Sequence, residues 1–136
     1  MRSPRLRWEL CRTFCSRSGT AAVEFAVTAP ALLLFLLGIV ESGRALWTGS
    51  ALQYAAEQAG RYALANPTAS DAQITSVATG QLPSVDNSKV TVTITRDSIN
   101  GVNFLTVNAQ YAFVAVTSFI PIGPITLTGQ TRVPLT

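Results

Sequence analysis

An uncharged apolar run from Phe25 to Val40, with an acid at its head, limits this chain more than any other feature. As an α-helix its 16 residues rise only about 24 Å. Extended back to Thr20, the run holds 21 residues and reaches about 31 Å, enough for a hydrocarbon core of roughly 30 Å. The extension brings Glu24 into or near the membrane, where a carboxylate is costly and asks for a reason. Pro30 removes one backbone hydrogen bond and should loosen the helix locally, which bilayer-spanning helices tolerate. At the far end Glu41 and Arg44 have the i,i+3 spacing of a helical ion pair. Trp47 then falls where interfacial aromatics are favoured. Glu41, Arg44 and Trp47 thus mark the outer boundary of a membrane segment expected over residues 20–47.

The formal charge of +3 is unevenly placed. Residues 1–19 carry five arginines against the single acid Glu9, whereas the remainder carries five basic and six acidic residues. Positive charge beside an apolar run keeps that flank cytoplasmic, so the N-terminus is expected inside and the C-terminus outside. The rest of the chain has no basic stripe, and no nucleic-acid partner is expected. A secretory signal fits poorly, because the apolar run is too long and no A-x-A site closes it. Cys11 and Cys15 both lie in this leader, with C-x3-C spacing, and read as spectator thiols. The chain has no histidine, which excludes Ser-His and Cys-His catalysis and most metal sites. With no C-x-x-C and no glycine-rich phosphate loop after a strand, neither an enzyme nor a cofactor is expected.

Beyond the membrane segment the pattern predicts an α+β domain over residues 48–136. Ala51, Ala55, Ala59 and Ala63 repeat every four residues beside Leu52, Ala56 and Gly60, giving one small-residue helical face. That face is expected to pack on the protein's own sheet. Glu57 and Arg61 are i,i+4 neighbours, and Asn66-Pro67 stops the helix. Ser70-x-x-Gln73 has the form of a capping box and opens a short helix over 70–81. Lys89 to Arg96 alternates apolar residues with threonines, as a half-buried strand does. Residues 97–101, with Asn100-Gly101, read as a hairpin connection, which places Asp97 in a turn. A second strand runs from about Asn103 to Val116, with Leu105, Val107, Ala109, Tyr111 and Phe113 on one face. A third runs from Ile125 to Val133, with Ile125 and Leu127 inward. The apolar loop 119–124 between them is either a contact surface or tucked under the sheet. Three antiparallel strands with one polar face need a cover, and the outer half of the long helix is the natural one.

Gly19, four small or apolar residues, Glu24 and Phe25, ahead of a long apolar helix, resemble the type IV prepilin processing site. That resemblance implies cleavage after Gly19 by a membrane aspartyl peptidase, leaving Thr20 as the new N-terminus. It further implies that Glu24 pairs with the N-terminal amine of a neighbouring subunit. Over about residues 18–65 the chain is similar to the TadE-like minor pilins of tight adherence (Tad) pilus systems. The residues concerned are Ser18 to Ala26, Glu41-Ser42-Gly43-Arg44 and Ala55 to Ala63. Phe25 after the glutamate, and the length of the chain, favour the minor class over the major pilins. The resemblance implies a pilin-like fold, a bacterial inner-membrane location and a role in pilus assembly, initiation or adhesion. The implied partners are other pilin subunits, the assembly platform, the prepilin peptidase and the lipid bilayer. The alternative is an uncleaved signal-anchored protein whose β head is a binding module.

Overall fold

The computed structural model describes residues 6–83, 85–116 and 123–135, with side chains from Gly19 onward. The chain divides into two compact units, residues 1–40 and 41–136.

Helix α1 spans Leu6–Ala65 and contains Pro30. From Phe25 to Val40 it is uncharged on every side. Val23, Phe25, Val27, Phe35 and Ile39 are each more than half exposed, and the most apolar window is 0% buried. A helix that is apolar all round and uncovered by protein suits a lipid environment rather than water. Among the described residues it is the one helix long and apolar enough to cross a membrane.

The second unit begins where Glu41 and Arg44 interrupt the apolar run. From Thr48 the helix becomes one-sided, with Leu52, Ala55, Ala56, Ala59 and Ala63 fully or nearly fully buried. It ends as the proline requires: the Asn66 N–H and the Asn66 side-chain amide both donate to the Tyr62 carbonyl, at 3.0 Å each. Helix α2, Asp71–Gly80, starts with the capping box anticipated from Ser70 and Gln73, and buries Ile74 and Ala78. On α1, Glu57 accepts from the Gln53 amide at 2.9 Å.

Strands β1 (Val90–Ile99), β2 (Val102–Phe113) and β3 (Ile125–Leu135) form an antiparallel sheet in the order β1-β2-β3. One row of the register reads Thr93, Asn108, Gln130. The hairpin between β1 and β2 is tighter than the sequence suggests. Only Asn100 (φ 53°) and Gly101 (φ 80°) form the turn, both left-handed, as a two-residue type I′ connection requires. Asp97 therefore lies within β1, where it pairs with Arg132 across the sheet, and not in a turn. Leu105, Val107, Ala109 and Phe113 face the helices as predicted. In β3, Leu127 is half-buried, but Ile125 stays 45% exposed because it sits at the strand's open start. Of the apolar loop 119–124, read as either a contact surface or tucked under the sheet, residues 119–122 lie outside the described residues; Gly123 and Pro124 are exposed.

Helix and sheet meet at unusually short range. A Cβ on Gly129 would overlap the backbone of Leu52 and Gln53, and one on Gly60 would come within 2.8 Å of the Thr131 methyl. Glycine in a strand often marks such a close backbone approach. The resulting core consists largely of alanine on the helix side, with Leu52, Ile74, Leu82, Leu105 and Val107 as its large, fully buried members.

Candidate functional site

The residues singled out by sequence fall into two groups, one in each unit. In the first unit Gly19 and Thr20 lie on α1, both exposed, and a Cβ added at Gly19 would meet nothing within 4 Å. Glycine in a helix costs about 1 kcal/mol relative to alanine, so this is a weak point in the helix, and no packing in the structure requires it. Glu24 and Phe25 are exposed, Phe25 at 73%. The Glu24 carbonyl accepts a hydrogen bond from the Thr28 hydroxyl at 2.8 Å. Such back-bonding one turn before Pro30 bends helices locally. Among the described residues no basic side chain pairs with the Glu24 carboxylate. An acid exposed on an apolar helix in this way needs a cation from elsewhere to be tolerable in lipid.

The second group is a cluster at the start of the second unit. The Glu41 carboxylate accepts from Arg44 Nη1 at 2.7 Å with one oxygen and from the Val116 N–H at 3.0 Å with the other. Its side chain is only 12% exposed against 45% for Arg44, so Glu41 is the anchored member of the pair. The Arg44 guanidinium stacks over Phe113, 5.3 Å from the ring centroid. The Arg44 carbonyl takes a bond from the buried Thr48 hydroxyl at 2.8 Å. These contacts fasten the end of β2, and the chain leaving it, to the first turn of α1 in this unit. A cavity of about 170 Å³ lies between Arg44, Trp47, Thr48, Val85, Tyr111 and Phe113. Trp47 itself is 56% exposed, with an apolar body and a polar N–H available to an interface.

The i,i+3 pairing of Glu41 and Arg44 was legible in the sequence. The roles of Val116 and Phe113 were not, because they reach the helix from about 70 residues away. The acids Asp71 and Asp97 are structural, bound to Arg96 and Arg132 respectively. Asp86 accepts from the Ser88 hydroxyl at 2.6 Å and its N–H at 3.1 Å, capping the short 3₁₀ turn Asn87–Lys89. Those two bonds, with Lys89 nearby, hold its carboxyl below the usual aspartate value. Among the described residues no group of three or more His, Cys, Asp or Glu could hold a metal ion.

Residues 19–61 match the sequence model of the TadE-like protein family. Comparison with curated proteins and with solved structures returned no match. The matched stretch takes in Gly19, Glu24, the apolar helix, the Glu41–Arg44 pair and the alanine face as far as Arg61, and stops before α2 and the sheet. Over that stretch, about a third of its length, the chain is similar to the TadE-like protein family.

Proposed function

We propose that this chain is a minor pilin, or pseudopilin, of a Tad-type pilus. It is made as a single-pass precursor in the bacterial inner membrane, with the N-terminus cytoplasmic. A prepilin peptidase cuts it after Gly19, and residues 20–47 then carry it into the pilus or its assembly platform. The observation behind this reading is the order of features inside the TadE-like stretch: Gly19, then Glu24 and Phe25, then an uncharged apolar helix. Glu24 supplies the reason for processing. Its carboxylate has no basic partner among the described residues, and cleavage creates an amine on Thr20 that can meet the Glu24 of a neighbouring subunit. Phe25 and the apolar residues after it provide the packing surface. Glu41, Arg44 and Trp47 set the outer membrane boundary, where Trp47 is favoured. The partners are other pilin subunits, the assembly platform, the peptidase and the bilayer, and the β head serves initiation, capping or adhesion.

Mass spectrometry of the full protein purified from membranes tests the reading. A mature N-terminus at Thr20 is the expected result. A chain still carrying Cys11 and Cys15 would overturn it in favour of the uncleaved signal-anchored protein.

A further inference from the structure

The two edges of the sheet are treated differently. On β3 the Gln53 side chain donates to the Gln130 carbonyl at 3.1 Å and accepts from the Gln130 N–H at 3.0 Å. A side-chain amide thus stands in for the missing neighbouring strand. Pro134, also on β3, has no N–H to leave open. These are the devices by which proteins close an edge.

The same contact fixes the direction of every peptide group in the sheet. Gln130 points its N–H and C=O away from β2, so its partner Asn108 points its own toward β1. Thr93, opposite Asn108, therefore points inward, and Val92 and Ile94 point outward. The Val90 N–H, of the same parity, does face away from β2 and bonds the Asn87 carbonyl. Among the described residues nothing bonds the outward peptide groups of Val92 and Ile94. From Val90 to Thr95 this edge carries no charge and no proline. Its flanking cations are already neutralised, Lys89 by Asp86 and Arg96 by Asp71.

We propose that β1 is an acceptor edge for strand addition, and that an extended segment of a different chain of the pilus assembly pairs with Val92 and Ile94. An open ladder of alternating donors and acceptors is matched by another polypeptide strand. The flanks are neutralised, so main-chain bonds and not charge provide recognition. Specificity comes from the two faces. Val92 and Ile94 are half-buried beside Ile74 and Ala78, so the added strand places apolar side chains there. Thr91, Thr93 and Thr95 are exposed on the other face and call for small polar neighbours. A second copy pairing antiparallel through its own β1 is disfavoured by symmetry. The two-fold axis would stand normal to the sheet and reverse the α1 residues packed on it, so the two Glu41 ends would point in opposite directions. The proposal uses the pilus reading only to say where the partner is found.

Hydrogen exchange of the full chain tests this, comparing native membranes that contain the complete pilus system with the chain purified in detergent. Amides of Val92 and Ile94 are expected to exchange about tenfold or more slowly in the native membranes, with β3 unchanged. Val92→Pro removes one outward donor and should abolish the added protection at Ile94. Thr128→Pro makes the same change on the β3 edge and should leave that protection in place. Equal exchange at Val92 and Ile94 in both preparations would overturn the proposal. So would protection that the purified chain acquires alone on concentration, because the occupant would then be a second copy. The mature N-terminus is read separately: protection with an intact leader would sink the processing scheme and leave the edge, and the converse would do the opposite.

Discussion

Gln53 and Gln130 are joined by two hydrogen bonds, amide to peptide, although 77 residues separate them. The pair closes the outer edge of β3 and holds it to α1. Replacing Gln53 with glutamate keeps an acceptor for the Gln130 N–H but loses the donor to its carbonyl and to Glu57, and sets two carboxylates at i,i+4. Each lost bond is worth about 0.5–1.5 kcal/mol net. The loss should be seen as lower thermal stability of the full chain in detergent and faster exchange at the Gln130 amide. Unchanged exchange there would show that the edge is held by packing alone.

Gly129 should tolerate no side chain. Alanine there overlaps the backbone of Leu52 and Gln53, so helix and strand must part. Overpacking of this kind typically costs about 1–3 kcal/mol. Gly123→Ala makes a matched comparison, since it meets nothing within 4 Å. Comparable melting temperatures for the two variants would contradict the close approach.

Glu41 holds Arg44 and the Val116 N–H together. Glu41→Ala leaves both to water, and because both donors are exposed it is expected to cost only about 0.5–1.5 kcal/mol. Glu41→Gln retains an oxygen for Val116 and should recover part of the loss. Amide exchange at Val116 separates the cases: fast in the alanine variant, intermediate in the glutamine one.

The Asp86 carboxyl has a lowered pKa in the folded chain, through its bonds to Ser88 and the nearby charge of Lys89. Its stabilising contribution is present above the unfolded value, near 3.8, and is lost as pH falls through the folded value. The turn Asn87–Lys89 should therefore loosen only below the ordinary carboxylate range. Protection of the Ser88 amide, followed from neutral pH downward, should fall late, and Asp86→Asn should flatten that dependence.

Glu24→Ala should yield a protein that reaches the membrane and is still cut after Gly19 but does not enter assemblies. Normal piliation by this variant would remove the role given to the carboxylate.

Local rules carried the sequence reading a long way. Ser70 and Gln73 announced their capping box, Asn66-Pro67 the end of α1, and the Val-Thr alternation the half-buried face of β1. Each of these depends on neighbours a few residues away. Asp97 was misplaced because Asn100-Gly101 suffices for the turn, and its partner Arg132 lies on a distant strand. Gly129 offered a signal, as a glycine inside a strand pattern, but nothing local said that Leu52 and Gln53 would press against it. Glu41 shows both sides: its bond to Arg44 follows from helical spacing, and its bond to Val116 depends on the chain's return from 75 residues away.

The alanine face of α1 reverses the usual pattern of mutational damage. In most interiors the worst lesions delete volume, leaving a cavity where a leucine or phenylalanine stood. Here Ala55, Ala56, Ala59 and Ala63 have little volume to lose, and the backbones are already nearly touching. Harm comes instead from growth: a valine or leucine at these positions acts as a wedge between helix and sheet. A random mutational survey of this head should find its intolerant sites where the residues are smallest.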